Sequence, residues 1–284
     1  MSKIKVSELF YSIQGEGRYM GVPSVFLRTF GCNFTCSGFG MPKGEYSLER
    51  DDVARNVDKY VQYRDLPLVN TGCDSYASWD PRFKHLSPVL DTDSIAKSIC
   101  EALPYKEWRD EHLVITGGEP LLGWQRSYPD LLEHDLMKGL QELTFETNGS
   151  QKITPEFNEY LFEEWTRNGR DWSNLTFSVS AKLPCSGEKW EDAIRPDIVT
   201  EYQSLGYTYL KFVIGTEDDA KDAERAINEF RQEGFNGPVY LMPVGGTEQL
   251  YHLNNRSVAE IAMRMGVRYS DRLQIPLFKN AWGT

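Results

Sequence analysis

Short apolar runs alternate with amphipathic segments along most of the chain, and this alternation constrains the fold more than any other feature of the sequence. The apolar runs predict strands at 25–27, 112–116, 143–149, 175–182, 209–214 and 239–243. Helical spacing predicts helices at 95–103, 128–140, 155–165, 217–232 and 257–265. Strands that alternate with helices form a parallel sheet covered by helices. Because the repeats are too few for a closed barrel of eight strands, we predict an α/β fold, a partial, open (β/α) barrel.

Composition points to one domain and a small substrate. The 284 residues, 40% of them hydrophobic, can bury one sizeable core, and no linker-like stretch divides residues 1–284. The net charge of −11 and a pI near 5.0 argue against binding to nucleic acid or to a membrane surface, because both need basic patches.

The compartment can also be inferred from the sequence. We find no signal sequence and no apolar run of membrane-spanning length, so we expect a cytoplasmic protein. The 5 cysteines are an odd number without regular spacing, which fits a reducing compartment better than a disulfide framework.

Two cysteines follow the first predicted strand closely. Gly31, Cys32 and Cys36 come after 25–27, so a strand brings two thiols to a loop at its carboxyl end. Open α/β folds place their chemistry at such loops. An iron–sulfur cluster, a structural zinc ion and a pair of buried thiols are all compatible with this spacing alone.

Two glycine-containing turns are further candidates for ligand binding. Gly117-Gly118-Glu119-Pro120 ends the strand predicted at 112–116. Adjacent glycines allow a ligand to approach the backbone, and the carboxylate suits a positive charge; the alternative is a plain turn before a helix. Gln14-Gly15-Glu16-Gly17 lacks the spacing of a dinucleotide site and, taken alone, favours a plain turn.

Taken in order, these motifs resemble those of radical S-adenosylmethionine enzymes, and most specifically the 7-carboxy-7-deazaguanine synthases. The usual signature is Cys-x-x-x-Cys-x-x-Cys, but Phe39 stands where the third cysteine is expected. Cys73-Asp74-Ser75, with Trp79 after it, resembles the missing part of the motif. We therefore infer that residues 37–72 are an insertion in the cluster loop, with an amphipathic helix at 50–61 laid over the cluster. Other motifs that fit in order are Glu146-Thr147-Asn148-Gly149, Ser180-Ala181-Lys182, Leu210-Lys211-Phe212-Val213, Leu241-Met242-Pro243 and Arg272-Leu273-Gln274.

The resemblance implies a lyase with the radical S-adenosylmethionine type of open barrel and a helical insertion. Its reaction would convert 6-carboxy-5,6,7,8-tetrahydropterin to 7-carboxy-7-deazaguanine, a ring contraction with loss of ammonia on the route to queuosine or other 7-deazaguanine compounds. The implied cofactors are a 4Fe–4S cluster, S-adenosylmethionine and Mg²⁺. Three cysteines leave one iron free to chelate S-adenosylmethionine, whose cleavage to a 5′-deoxyadenosyl radical would start the reaction.

The resemblance also implies roles for individual residues. The metal ligands would be Cys32, Cys36 and Cys73 for the cluster and Ser75, helped by Asp74, for Mg²⁺, although Asp74-Ser75 is equally typical of a turn or helix start. S-adenosylmethionine would be bound by Gly118, Glu119, Glu146, Ser180, Ala181 and Lys182. The pterin would be bound by Ile13, Gln14, Gly15, Glu16, Arg28, Thr116 and Gln274. The Arg28 guanidinium suits a carboxylate because it offers two parallel donors, but judged alone it fits a surface ion pair equally well.

Besides Phe39, the sequence departs from the family pattern at three further positions. Ala181 replaces a proline, and Pro276 and Phe278 replace a glutamine and a histidine near the C-terminus. A substrate contact from that histidine is therefore not carried over. Two alternatives remain, a glycyl-radical-enzyme activase that acts on a partner protein and a non-catalytic metal-binding relative. The turn at Gln14, together with Arg28 and Ser75, argues against the activase.

The partners expected from this interpretation are a small pterin and an electron donor such as a flavodoxin. We expect a homodimer that binds neither nucleic acid nor membranes.

Overall fold

The computed structural model describes residues 2–284, apart from the side chain of Asn168. Its nine strands form one sheet in the order β3-β1-β2-β4-β5-β6-β7-β8-β9. From β2 to β9 neighbouring strands are parallel, whereas β1 is antiparallel to both β2 and β3. The strands are β1 Lys3–Ile13, β2 Pro23–Thr29, β3 Val89–Asp91, β4 His112–Gly117, β5 Glu142–Thr147, β6 Leu175–Val179, β7 Tyr207–Ile214, β8 Val239–Pro243 and β9 Arg268–Tyr269. Because β3 and β9 are the two edges, the sheet is open, and the predicted partial, open (β/α) barrel is confirmed.

The helices follow the strands as the alternation predicts. They are α1 Glu49–Ala54, α2 Thr92–Ala102, α3 Tyr128–Leu132, α4 Pro155–Glu159, α5 Trp190–Ala193, α6 Pro196–Leu205, α7 Glu217–Gln232, α8 Glu248–Met265 and α9 Gln274–Phe278. The prediction for α7 agrees at both ends, while α8 begins at Glu248 rather than at residue 257. Sequence reasoning missed α5, α6 and α9 and the strands β1, β3 and β9.

Two predicted helices are interrupted. The helix predicted at 128–140 ends at Leu132, because His134 is extended and caps a separate 3₁₀ turn, Asp135–Met137, through its Nδ1. The helix predicted at 155–165 starts with α4 and continues as a π-helix, Tyr160–Glu164.

The main core lies between the sheet and the helices. Strand residues such as Leu113, Val114 and Ile115 are fully buried on both faces of the sheet, as central parallel strands require. Burying a leucine- or isoleucine-sized side chain contributes about 1.5–3 kcal/mol. This core therefore holds the carboxyl ends of the parallel strands at one edge. No helix in residues 2–284 is both long enough and apolar enough to cross a bilayer.

Residues 37–72, called the inserted segment below, form a loop whose two ends lie next to each other. Gly72 donates its N–H to the Phe39 carbonyl at 2.7 Å, and Ser47 donates to the Ser37 carbonyl at 2.8 Å. A small separate core closes the loop and includes Val53, Tyr63, Leu66, Val69, Tyr76 and Phe83. That this segment is an insertion relative to the family stays a prediction.

The helix predicted at 50–61 within this segment is too long. Only α1 is α-helical, because Asn56 leaves the helical conformation with φ −118° and ψ 22°, and a 3₁₀ turn, Val57–Lys59, follows. Val53 is buried as predicted, but Val61 is 80% exposed and does not share its face.

Candidate active site

A cavity of about 250 Å³ opens at the carboxyl ends of the parallel strands. It is where open α/β folds bind ligands. The predicted site residues that line it are Ile13, Gln14, Gly15, Glu16, Arg28, Cys32, Cys36, Cys73, Ser75, Thr116, Gly118, Glu146, Ser180, Lys182 and Gln274. The tertiary structure thus brings together residues from the whole length of the chain.

One end of the cavity, the thiol end, contains Cys32, Cys36 and Cys73. Cys36 is held in a left-handed conformation at φ 48°, which is uncommon for a residue other than glycine and typical of functional sites. The three thiols pack among the apolar side chains of Phe34, Phe39 and Ala193. Glu188 fixes the loop by accepting hydrogen bonds from the backbone N–H groups of Thr35 and Cys36 at 2.8 and 2.7 Å.

Burial keeps these thiols protonated. It raises the pKa of Cys32 to about 12 and also raises the pKa of Cys36 and of Cys73. Two N–H groups oppose this effect by donating to sulfur, Phe34 N to Cys32 at 3.4 Å and Trp79 Nε1 to Cys73 at 3.3 Å. A thiol in such an environment ionises only when a metal ion replaces its proton.

The glycine turn after β4 packs directly on the cysteine loop. A Cβ atom at Gly118 would lie 2.3 Å from the Gly31 carbonyl oxygen and 2.8 Å from Cys32 Cβ, so no side chain fits there. The preceding Gly117 has φ +146°. Glycine at these positions therefore allows the backbone to reach the thiol end.

Glu119 and Ala181 do not line the cavity. The Glu119 carboxylate is fully buried and accepts hydrogen bonds from Leu121 N at 3.0 Å, Thr147 Oγ1 at 2.8 Å and Asn148 N at 2.6 Å. Burial raises the pKa of Glu119 to about 7, although these hydrogen bonds oppose the shift. Glu119 ties the loop after β4 to the loop after β5 and so positions Asn148. The contact of Glu119 with a cofactor stays a prediction. The side chain of Ala181 is buried in the main core.

The other end, the charged end, is centred on Glu16, Lys211, Arg272, Gln274 and Asp74. The Glu16 carboxylate pairs with Lys211 and accepts from Arg272 Nε at 3.3 Å and Gln274 Nε2 at 3.0 Å. Burial would raise the pKa of Glu16, but the two cations outweigh it and lower that pKa to about 2. Arg272 also donates to Asp74 at 2.6 Å.

Gly15 makes this arrangement possible. A Cβ atom at Gly15 would lie 1.8 Å from Gln274 Oε1, so a side chain there would expel the glutamine from the charged end.

Two further groups of hydrogen-bonded polar side chains lie between the ends. Arg28 Nε bonds Glu8 at 2.9 Å, and its Nη1 donates to Ser75 Oγ at 3.1 Å. Glu146 accepts from Gln14 Nε2 and from Thr116 Oγ1, each at 3.0 Å. Glu146, predicted to bind S-adenosylmethionine, thus connects two predicted pterin residues, Gln14 and Thr116.

Comparison with known proteins decides the family. No family model matches the chain. A 7-carboxy-7-deazaguanine synthase from Halobacterium salinarum is 30% identical over 306 residues, covering 98% of this chain and 91% of the relative. The chain belongs to the 7-carboxy-7-deazaguanine synthase family. Synthases of the same name from Pyrobaculum aerophilum and Rhodopirellula baltica are 27% and 26% identical, covering 99% and 100% of this chain and 97% and 90% of their own lengths.

A solved structure supports the fold. The crystal structure of QueE from Escherichia coli aligns with a TM-score of 0.56 and 18% identity, covering 94% of this chain and 93% of that one. The predicted family and fold are confirmed, and no observation favours the activase or the non-catalytic relative.

Membership of the synthase family implies a 4Fe–4S cluster and S-adenosylmethionine, and the thiol end fits the cluster. Within residues 2–284, no three His, Cys, Asp or Glu side chains converge on one point, as a single metal ion would need. A four-iron cluster makes a different demand, because three of its irons would each bind a separate thiolate while the fourth stays open for S-adenosylmethionine. Cys32, Cys36 and Cys73 are separate thiols on one apolar wall. They therefore suit a four-iron cluster better than a single zinc ion.

Mg²⁺ fits less completely. Ser75 Oγ and Asp74 Oδ1 are hard oxygen donors 3.3 Å apart, but Arg28 and Arg272 already bind these side chains. An ion here would need further negative ligands from the substrate.

Sequence reasoning missed several residues of this synthase site. Lys211 could have been found, because a charged residue interrupts the apolar run of β7. Trp79, Asn148 and Arg272 lie in motifs that were recognised without being assigned a role. The chain end, residues 280–284, also lines the cavity, whereas Phe278 lies outside it and is 39% exposed.

Proposed function

We propose that this cavity converts 6-carboxy-5,6,7,8-tetrahydropterin to 7-carboxy-7-deazaguanine, with loss of ammonia, on the route to queuosine or other 7-deazaguanine compounds. One observation carries the proposal: Cys32 and Cys36 of one loop and the distant Cys73 share one cavity with the charged end. Membership of the synthase family supports the reaction.

The thiol end would hold the cluster through Cys32, Cys36 and Cys73. When bound, the cluster and S-adenosylmethionine supply a carbon radical that removes hydrogen from the substrate. Gly118, Glu146, Ser180 and Lys182 line the adjacent wall and would bind S-adenosylmethionine. Lys182 Nζ donates to Ser180 Oγ at 2.9 Å, and its cation would suit the amino-acid carboxylate of S-adenosylmethionine.

The charged end would bind the pterin. Among the described residues, Arg28 Nη2 has no partner, so it remains available for the substrate carboxylate. Gln14, Glu16, Thr116 and Gln274 present donors and acceptors to the ring edge.

An apolar wall completes this half of the cavity. The rings of Phe10 and Phe26 stack 4.9 Å apart and line it, so a flat ring can lie against them. The residues of this end orient the substrate and exclude water, which is the protein's share of radical chemistry.

Mg²⁺ would join the site only with substrate. We propose Ser75, helped by Asp74, as its protein ligand, with the substrate carboxylate and water as the remaining ligands. The neighbouring Arg28 and Arg272 disfavour a cation in the absence of that carboxylate. The low-potential electron donor, the homodimer and the cytoplasmic location stay predictions.

Anaerobic reconstitution tests the function directly. Protein loaded with iron and sulfide should bind about four of each per chain and convert the pterin only when S-adenosylmethionine and a reductant are added. Cys73→Ala should lose the cluster and turnover, whereas Cys100→Ala, which changes a thiol of α2 outside the cavity, should keep both. Full cluster loading in Cys73→Ala would contradict the proposal.

A further inference from the structure

Trp79 makes an unusual hydrogen bond at the thiol end. Its indole Nε1 lies 3.3 Å from the Cys73 sulfur. Five other tryptophan indoles that have a partner donate to oxygen; these are Trp108, Trp124, Trp172, Trp190 and Trp282. The indole of Trp79 therefore acts on a side chain that we assign as a cluster ligand.

The inserted segment holds this indole in place. The guanidinium carbon of Arg50, a residue of α1, lies 4.9 Å from the centroid of the Trp79 ring. A guanidinium over an aromatic face is attracted to the ring, and more strongly when the contact is shielded from water. The inserted segment, whose role the sequence alone did not reveal, thus fixes the Trp79 ring.

Arg50 is itself held by charge contacts with two carboxylates. Its Nε lies 3.2 Å from Asp80, and its Nη2 lies 3.3 Å from Asp51. Arg82 connects the same two carboxylates, at 2.5 Å to Asp80 and 2.7 Å to Asp51. The Asp80 side chain is only 5% exposed, so solvent screens this network weakly.

We propose that Trp79 is a positioning residue that raises the reduction potential of the cluster through Cys73, and that the inserted segment maintains this effect through Arg50. An N–H group that donates to a ligand sulfur stabilises electron density on that sulfur. The reduced cluster carries one more electron, so it gains more from the hydrogen bond than the oxidised cluster does. This inference rests on the proposed function, because it needs the cluster.

Trp79→Phe tests the inference by keeping the ring and removing the N–H. We would titrate the reconstituted protein with dithionite and follow the reduced cluster by electron paramagnetic resonance. At a fixed potential near the midpoint, the ratio of reduced to oxidised cluster should fall about tenfold, equivalent to about 59 mV for a one-electron couple. Arg50→Gln should shift the ratio in the same direction by a smaller factor, because the indole stays but is less well held.

The matched control is Trp172→Phe, which removes an indole N–H that donates to the Gln203 carbonyl from a side chain that is 46% exposed. Its potential should equal that of the unmodified protein. An unchanged potential in Trp79→Phe at equal iron content would overturn the inference. If that variant binds no cluster, Arg50→Gln decides, and an unchanged potential there overturns it. Failure of the unmodified protein to bind a cluster would instead refute the proposed function, and the inference with it.

Discussion

The two ends of the cavity satisfy their polar groups in opposite ways. At the charged end, Glu16 pairs with Lys211 and Arg272, and Asp74 pairs with Arg272, so the chain itself compensates its buried charges. At the thiol end, Cys32, Cys36 and Cys73 lie among apolar groups that keep them protonated.

This difference indicates how the site is assembled. Buried charges are tolerated only when they are paired, so the charged end must form as the protein folds. Neutral thiols can be buried at little free-energy cost before any metal is bound. We therefore expect that the charged end controls folding and substrate binding, whereas the thiol end becomes functional only when the cluster is loaded.

The largest expected effect is on stability, and it distinguishes the charged end from the thiol end. Glu16→Gln removes the partner of the buried Lys211 and should lower the free energy of unfolding by about 3–5 kcal/mol, because an unpaired buried charge remains. Urea unfolding measures this loss. The variant should still load iron and sulfide but should no longer bind the pterin.

A surface pair provides the control for this prediction. Asp135→Asn breaks the exposed pair with Lys138 and should leave the unfolding curve unchanged. Equal stability of Glu16→Gln and the unmodified protein would show that the charged end is not held together by its own ion pairs.

The next effect concerns the carboxylate that ties the two loops at the thiol end. Glu119 has its pKa raised from 4.5 to about 7, so between these values the folded protein keeps a proton that the unfolded chain has lost. The free energy of unfolding should therefore fall by about 3 kcal/mol as the pH rises from 4.5 to 7, at 1.36 kcal/mol per pKa unit, and then level off. In Glu119→Gln this part of the slope should disappear, and a difference profile between the two proteins that stays flat would contradict the raised pKa.

Cluster loading should depend on pH because the thiols must lose their protons. The pKa values of Cys32, Cys36 and Cys73 are all raised, so each thiol exchanges a proton for iron. At limiting iron, the amount of cluster formed should increase between pH 7 and 8, because the binding constant rises up to about tenfold per pH unit for each thiol that loses a proton. Iron and sulfide counts on desalted protein measure it, with free sulfide and iron as a blank. Loading that is independent of pH would mean that the thiols are already ionised.

The smallest expected effect lies where the two ends meet. Ser75→Ala removes the hydroxyl that Arg28 contacts and should lower kcat/KM for the pterin about fivefold, or about 1 kcal/mol, and abolish any stimulation by Mg²⁺. Ser75→Thr keeps a hydroxyl and should retain both. Equal Mg²⁺ stimulation in the alanine variant would exclude Ser75 as a ligand.

Much of the architecture could be predicted because its causes are local. The strands at 112–116 and 239–243 follow from apolar runs, and the strand at 209–214 follows from an apolar run that only Lys211 interrupts. Helix α7 follows from an amphipathic pattern that begins at the Thr216 cap. The prediction of a helix over 50–61 was wrong for another local reason. The Asn56 side chain donates a hydrogen bond to the Asp52 carbonyl and ends the helix early.

The sequence by itself determined the order of strands and helices and the order of the family motifs, because periodicity and motif spacing can be read within short windows. Only the tertiary structure decided that Cys73 joins Cys36 across the inserted segment, that Glu119 turns into the protein, and that Glu16 meets Lys211. These contacts depend on which distant groups are brought together by packing and on the free-energy cost of burying a charge without a partner. Neither can be deduced from a single short segment of the sequence.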